Sequence, residues 1–383
     1  MENPTSNRII IIDALRGFSL AGVCIVHMNE QYMAAAVPEN LMEITNNIFD
    51  QILSGIIQFF IIGKFFALFS ILFGLSFFIQ MDAGANRNKN YELQFLRRAL
   101  LLFIIRYAHH LFYLGDILTI YALLAPFLIP FYRISNTWIL LISGLFLISI
   151  PRLIAYTFLG NESAFGLPSM LDPNSTVHTT YINTLKNGTL LDVFRTNGSM
   201  GMLHKLDFQI GVFGRFYLTF GYFLIGLWLG KIGLFRRIEE KKSLIKRWLI
   251  ISIIYFITSI AIVAGIFFIA PQPIDFGSWI HVLGINILDW ANISYTIVIL
   301  TSCILLYRTK RGLRFFLFFT AYGRIALSNY ILQSLIGTFL LFGWGMRLIG
   351  KLQTRYLVII AIALIVIQGI VSKIGYSTLG MDL

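Results

Sequence analysis

The chain is poor in cysteine and in charged residues, and both shortages limit the class of protein it can be. Its two cysteines, Cys24 and Cys303, stand alone inside apolar runs, without the spacing of a zinc site or a disulfide framework. Charged residues make up 13% of the 383 residues, against roughly 25% in soluble domains. Hydrophobic residues make up 57%, and the mean hydropathy is +0.77. This composition favours an integral membrane protein.

Acidic residues are scarcer than basic ones, with 18 Asp and Glu against 30 Lys and Arg and a net charge of +12. The basic residues gather in short loops between apolar runs, above all at 82–98, 231–247 and 308–314. Such loops are typical of the cytoplasmic side of a membrane protein, and they do not indicate nucleic-acid binding. No group of residues has the spacing of metal ligands, so no metal site is predicted.

Long apolar runs are abundant, and they predict an all-α, polytopic membrane protein. A helix needs about 20 mostly apolar residues to cross the bilayer. We predict about ten transmembrane helices in a single transmembrane domain, 1–383, in the plasma (inner) membrane, with both termini in the cytoplasm. The predicted spans are about 9–28, 64–81, 95–114, 117–131, 137–158, 211–230, 248–269, 285–307, 315–342 and 356–374.

A polar insert at about 159–209 separates the fifth predicted span from the sixth. It is rich in Asn, Ser, Thr and Gly. A segment of this length within a compact protein is usually either functional or disordered. Because the neighbouring basic loops are placed in the cytoplasm, the insert is predicted to be extracytoplasmic.

The first apolar run carries three ionisable residues, Asp13, Arg16 and His27. Asp13 precedes Arg16 by about one helical turn, and His27 follows Arg16 by about three turns, or about 16 Å. All three therefore lie on one stripe of the helix. An ionisable group in lipid costs about 3 kcal/mol, so such a stripe is a functional-site hypothesis. The alternative is an Asp13–Arg16 pair neutralised for insertion, with His27 at the interface.

Three more polar residues, Arg324, Asn329 and Gln333, lie inside the ninth predicted span. Hydrogen bonding between helices accounts for the Asn and Gln, which are one turn apart. Arg324 is harder to explain by packing because its charge is permanent. We treat the three residues as candidates for binding substrate or supporting the site.

Four motifs show that the chain resembles the YeiB-like family of uncharacterised bacterial inner-membrane proteins, within the transmembrane acyltransferase superfamily. The motifs are IDALRGFSLAG at 12–22, GKFFALFSILFG at 63–74, FLRRALLL followed by GDILTIYALL within 95–124, and GRIALSNYILQS at 323–334. Arg16 and His27 also resemble the Arg-x10-His signature of the superfamily. The chain departs from the family at its C-terminus, where a Gly-Pro-x-Glu-Trp segment is replaced by Gly380 to Leu383.

This resemblance also favours His110 over the adjacent His109 as a site residue. Neighbouring residues on a helix point about 100° apart, so the two imidazoles are not expected to bind one metal jointly. His110 is expected to face Asp116 in the following break. Asp116 could equally cap the next helix, and packing at the helix end would then explain the histidine.

The resemblance implies a membrane O- or N-acyltransferase. It would move an acyl group from a cytoplasmic acyl-CoA-type co-substrate to an extracytoplasmic glycan or small molecule, with no bound cofactor. His27 would be the base, Arg16 the clamp for the donor or oxyanion, and Asp13 the residue that orients Arg16. A transporter or flippase, with the stripe lining a permeation path, and a non-catalytic scaffold in the lipid bilayer remain alternatives. The sequence leaves the oligomeric state open.

Overall fold

The computed structural model describes residues 9–35, 47–85, 91–160, 163, 165–168, 170, 172, 174–211, 214–270 and 278–378. Every regular element within these residues is helical. In chain order the α-helices are α1 (Ile10–Asn29), α2 (Ile48–Phe60), α3 (Lys64–Ala85), α4 (Tyr91–Phe112), α5 (Leu118–Leu124), α6 (Leu128–Arg133), α7 (Asn136–Leu147), α8 (Ile150–Leu159), α9 (Thr176–Asn187), α10 (Leu190–Thr196), α11 (Met202–Ile210), α12 (Arg215–Lys231), α13 (Lys242–Ile269), α14 (Trp279–Tyr307), α15 (Lys310–Arg324), α16 (Ala326–Leu341) and α17 (Thr354–Thr378).

Five segments of the described chain are long and apolar enough to cross a membrane, and the number rises to eight if each bent helix pair counts as one span. The five are α1, α2 with α3, α13, α14 and α17. Large apolar side chains cover the outer surface of several of them, among them Ile254 and Phe268 on α13. Such a surface suits lipid rather than water. The helical class is therefore confirmed, whereas the predicted count of ten spans is not.

Bends explain part of the difference in the number of spans. The fifth predicted span breaks between α7 and α8 by 44°, where Ser149 has a φ of 62° and Pro151 follows. Proline has no backbone N–H to continue the helix. The ninth predicted span breaks at Ile325, where α15 and α16 meet at 81°. The helix predicted to begin near Lys64 does begin at that residue.

Glycine allows two helix pairs to approach with their backbones in contact. A Cβ on Gly323 of α15 would lie 1.9 Å from the Asp13 carbonyl oxygen of α1, and one on Gly17 would lie 2.2 Å from the Phe319 carbonyl oxygen. Gly226 of α12 faces α3 in the same way. Small residues at such crossings are typical of packed membrane helices.

The basic loops meet at one end of the helix bundle. Arg236 lies 3.4 Å from Asp82, and Arg308 donates to Glu239. Lys231 donates to the carbonyl oxygen of Tyr132, 3.0 Å away. These contacts join the loops after α3, α6, α12 and α14.

Much of the polar insert is folded against the bundle. A capping box between Thr189 and Asp192 begins α10. The buried side chains of Tyr181 and Leu185 on α9, and of Val193 on α10, belong to the main hydrophobic core. A π-helical turn, Asn197–Gly201, joins α10 to α11 and lies over the end of α4, where the Asn197 amide donates to the Leu111 carbonyl oxygen over 2.9 Å.

Candidate functional site

A cavity of about 1290 Å³ lies at the C-terminal end of α1. Its walls come from α1, α2, the turn between α4 and α5, α11, and the first residues of α12 and α17. The polar stripe of α2 faces inward with Gln51, Ser54 and Gln58, while Ile52 and Ile56 of the same helix are exposed outward. A volume above 1,000 Å³ is sufficient for a drug-sized ligand.

His27 lines this cavity, as one of the predicted site residues. Its Nδ1 lies 2.9 Å from the Tyr113 hydroxyl and 4.0 Å from Oε2 of Glu30. Its Nε2 is buried and has no hydrogen-bond partner among the described residues. An unpartnered buried nitrogen is rare. The ring is therefore oriented through Nδ1, and Nε2 is the nitrogen left for another group.

Asp116 also lines the cavity, and it both caps a helix and contacts a histidine. Its carboxylate accepts from the Leu118 and Thr119 amides at the start of α5, at 3.2 and 2.9 Å, and from the Thr119 hydroxyl at 2.6 Å. Oδ1 lies 3.1 Å from Nδ1 of His109, without hydrogen-bond alignment. The expectation that His110 faces Asp116 was therefore wrong, since His110, 100° further around α4, points to the insert.

His110 instead contacts the Asn197 carbonyl oxygen at 3.0 Å and the ammonium group of Lys205 at 3.1 Å. Lys205 also donates to the backbone carbonyl of Asp116. Burial alone would raise the pKa of Asp116, but the His109 contact and the Lys205 charge hold that pKa below its usual range. Sequence reasoning missed Lys205, because it lies in the insert, 89 residues from Asp116.

Glu30, directly after α1, is a further cavity residue that sequence reasoning missed. Its side chain is 40% accessible where it lines the cavity, and the neighbouring helices desolvate the carboxyl group. This burial raises the pKa of Glu30 to about 7, against the opposing charge of Arg215. The carboxyl group therefore titrates near neutral pH.

Asp13, Arg16 and Arg324 form a second cluster that the cavity does not reach. Arg16 donates to Asp13 at 2.8 Å and to the Ser76 hydroxyl at 2.6 Å. Nε of Arg324 lies 3.7 Å from Oδ2 of Asp13. This cluster lies about 16 to 21 Å from His27 along α1. The structure therefore does not bring the three predicted catalytic residues of α1 to one site.

Asn329 and Gln333 hold helices together outside the cavity. Asn329 donates to the Tyr322 carbonyl oxygen at 2.9 Å and to the Ser372 hydroxyl at 3.2 Å. Gln333 donates to Gln368 of α17 over 3.1 Å. These contacts correspond to the packing alternative for the two amides.

A buried arginine network near the cavity had no counterpart in the prediction. Arg152 is 1% exposed, and it lies 2.6 Å from Asp289 and 2.7 Å from the Asn286 side-chain oxygen. Arg215, which lines the cavity, approaches the same carboxylate at 3.7 Å. The described residues contain no group of three or more His, Cys, Asp or Glu that could hold a metal ion.

The fold and the site thus define a helical membrane protein with a polar cavity at one end of its bundle. Residues 229–378 match the family described as a protein of unknown function, DUF418. The chain is 26% identical over 382 residues to the uncharacterized protein YxaH of Bacillus subtilis, which covers 97% of this chain and 90% of that protein. No solved structure matches it.

A second relative matches only part of the chain. This is an uncharacterized 39.9 kDa protein in the amylase 3′ region of Bacillus acidopullulyticus, 34% identical over 129 residues. The match covers 34% of this chain and 35% of that protein. The comparisons indicate an uncharacterised family, and none of the matches carries a YeiB-like or acyltransferase name.

Proposed function

We propose that the chain is a membrane acyltransferase whose reaction takes place in the cavity beside His27. The observation that carries this proposal is the His27 imidazole, held at Nδ1 by Tyr113 with its Nε2 unpartnered, in the wall of a large cavity. A base positioned within reach of the acceptor is the first requirement for deprotonating its hydroxyl.

The second nitrogen of His27 would act as the base. The Glu30 carboxylate at 4.0 Å favours the tautomer with its proton on Nδ1, donated to the Tyr113 oxygen. Nε2 then takes the proton of the acceptor hydroxyl or amine, whose oxygen or nitrogen attacks the thioester carbonyl carbon. The carbon–sulfur bond breaks, and the imidazolium returns its proton to the leaving thiolate.

The position of the cavity supports an acceptor on the extracytoplasmic side. The basic loops of the chain meet at one end of the bundle, and basic loops favour the cytoplasm. The N-terminus of α1 lies at this end, because Ile11 and Ile12 share a core with Leu234 and Phe235 of one of these loops. His27 lies at the opposite end of α1. Both termini would then be cytoplasmic and the insert extracytoplasmic, with the protein in the plasma (inner) membrane.

The second cluster on α1 suits the donor. Arg16 and Arg324 share one carboxylate, Asp13, so the three residues carry a net positive charge. Arginine binds phosphate groups bidentately, and an acyl-CoA-type donor carries several. In this proposal the donor approaches Arg16 from the cytoplasmic end, with its acyl group extended toward His27.

Transport is less well supported than transfer. The lining of the cavity reaches no further along α1 than Val26. On the N-terminal side of Val26, the side chains of Leu20, Val23 and Cys24 are almost fully buried in the main hydrophobic core. A permeation path would need these side chains to open for a whole substrate, whereas transfer needs room only for the acyl arm of the donor.

The test is thioester hydrolysis and labelled acetyl transfer from acetyl-coenzyme A, with purified protein in nanodiscs. His27→Ala should lower turnover about 10²- to 10⁴-fold. Arg16→Lys should chiefly raise the KM for the donor, because lysine keeps the charge and loses the planar fork. Equal turnover in wild type and His27→Ala would overturn the proposal.

A second variant tests the cavity without touching its polar groups. Gly55 lines the cavity, and a Cβ there meets open space. Gly55→Trp should block the acceptor and leave folding intact. Gly265→Trp on α13 is the matched control, because a Cβ at that helical glycine also meets open space and the residue lies outside the cavity lining. Loss of turnover in both variants would count against the cavity as the site.

A further inference from the structure

Two arginines share a single carboxylate beside the cavity. Arg152 takes most of the Asp289 charge, since it lies 2.6 Å away and is almost fully buried. Arg215 lies 3.7 Å from the same group, and one third of its side chain is accessible. The guanidinium group of Arg215 is therefore only partly neutralised, and it lines the cavity.

The other acids around the cavity have nearer partners. Asp116 accepts hydrogen bonds from the start of α5 and lies close to His109. Asp207 accepts from the Ser163 hydroxyl at 2.8 Å. Glu30 is the remaining acid in the wall, and the charge of Arg215 acts on it. An anion that enters the cavity thus meets Arg215 with two competitors, the Asp289 carboxylate at 3.7 Å and Glu30 in the cavity wall.

We propose that Arg215 anchors an anion-binding subsite in the cavity that holds the phosphate ester group of a ligand. The planar fork of arginine matches two phosphate oxygens, and such charge-assisted pairs are stronger than neutral hydrogen bonds. His204 supports the assignment, because it lines the same cavity, is 7% exposed, and has a buried Nε2 without a partner among the described residues. This subsite concerns binding alone and does not depend on acyl transfer.

The carboxyl group of Glu30 makes this subsite sensitive to pH. The groups that face Glu30 are His27 on α1, Tyr113 after α4 and Arg215 on α12. Below pH 7 Glu30 is mostly protonated, so Arg215 is available to a phosphate. Above pH 7 the Glu30 carboxylate competes for Arg215, and phosphate binding weakens.

The experiment measures binding of glycerol 3-phosphate to the full chain in zwitterionic nanodiscs at pH 6 and pH 8, with glycerol as the uncharged comparison. Wild type should bind glycerol 3-phosphate saturably and more tightly at pH 6. Arg215→Gln should weaken binding about tenfold to a hundredfold, and Arg215→Lys by less. Arg133→Gln is the matched control, because that arginine is 77% exposed and pairs with Glu92 at the far end of the bundle.

Glu30→Gln should increase binding at pH 8 to the level that wild type shows at pH 6. Such a gain of binding could not be caused by a folding defect. Nanodiscs that contain phosphatidic acid distinguish the source of the phosphate: competition with glycerol 3-phosphate assigns the subsite to a lipid head group, and no competition assigns it to a soluble ester. Equal affinity of wild type and Arg215→Gln, or equal binding of glycerol, would overturn the proposal.

Discussion

The two ends of α1 carry ionisable residues for different reasons. At the N-terminal end Asp13 and Arg16 lie on one ion-pair network with Arg324, built from α1 and α15, with Ser76 of α3 as a further partner. At the C-terminal end His27 lies in the wall of a large cavity and keeps a buried nitrogen without a partner.

The two ends show how polar groups that stabilise packing differ from polar groups available for chemistry in a membrane helix. Ionisable residues cost free energy in lipid wherever they occur, so their presence alone does not identify a site. A group whose bonds are made to neighbouring helices stabilises packing, whereas a group left open toward a cavity is available to a ligand. Substitution of Asp13 should therefore affect chiefly stability, substitution of Arg16 both stability and donor binding, and substitution of His27 chiefly turnover.

The largest effect on stability is expected at the N-terminal end. Asp13→Asn removes the carboxylate that Arg16 and Arg324 share, and breaking a buried pair costs about 3–5 kcal/mol. One quarter of the Arg16 side chain is accessible, so we expect about 3 kcal/mol, measured as the free energy of unfolding in detergent. Asp82→Asn, which breaks a pair with the half-exposed Arg236, should cost less than about 1 kcal/mol. Equal losses of unfolding free energy in the two variants would show that the buried ion pair contributes no more to stability than the exposed one.

The backbone contact between α1 and α15 should give the next largest effect. Gly323→Ala places a Cβ 1.9 Å from the Asp13 carbonyl oxygen, and relieving such a clash costs about 1–3 kcal/mol. Gly265→Ala, where nothing lies within 4 Å, should instead stabilise the helix by about 0.5–1 kcal/mol. Both changes in the free energy of unfolding would be measured by thermal unfolding in the same detergent. If Gly323→Ala left the free energy of unfolding unchanged, α1 and α15 would be able to move apart at no cost.

At the cavity end Tyr113→Phe should change function more than stability. It removes the hydroxyl 2.9 Å from Nδ1 of His27, a bond worth about 1 kcal/mol. Loss of ring orientation should lower acyl transfer about tenfold. Tyr107→Phe is the control, since its hydroxyl contacts the Gly198 carbonyl oxygen at 3.4 Å outside the cavity lining. Unchanged turnover in Tyr113→Phe would show that the hydroxyl does not position His27.

The smallest effect is a pH dependence of stability from Glu30. Its pKa is raised to about 7 in the folded chain from about 4.3 in the unfolded chain, so the folded state holds the proton more tightly. The associated stability is present below pH 4.3 and is lost as the pH rises through 7. The melting temperature of wild type should therefore fall from pH 5 to pH 8 by more than that of Glu30→Gln. If the melting temperatures of wild type and Glu30→Gln fell equally with pH, the raised pKa of Glu30 would be contradicted.

The helical class and the start of α3 were predictable from the amino-acid sequence alone, which also shows the polar residues inside apolar runs. It also placed His27 and Asp116 among the candidates, and both line the cavity. These features are local, since hydropathy and helix period are read within one segment. The span count and the break at Ile325 could not be predicted in this way, because an apolar run has the same composition whether or not it bends. Pro151 is a local signal for the break at Ser149.

Which polar groups meet depends on the packing of helices that are distant in the sequence. Lys205 reaches Asp116 across 89 residues of chain, and Arg152 meets Asn286 across 134. The same packing ends the cavity at Val26, so Arg16, about 16 Å from His27 along α1, lies outside it. Contacts of this kind depend on how distant helices pack and on where a glycine allows close approach. The periodicity of the sequence does not predict which helices will pack together.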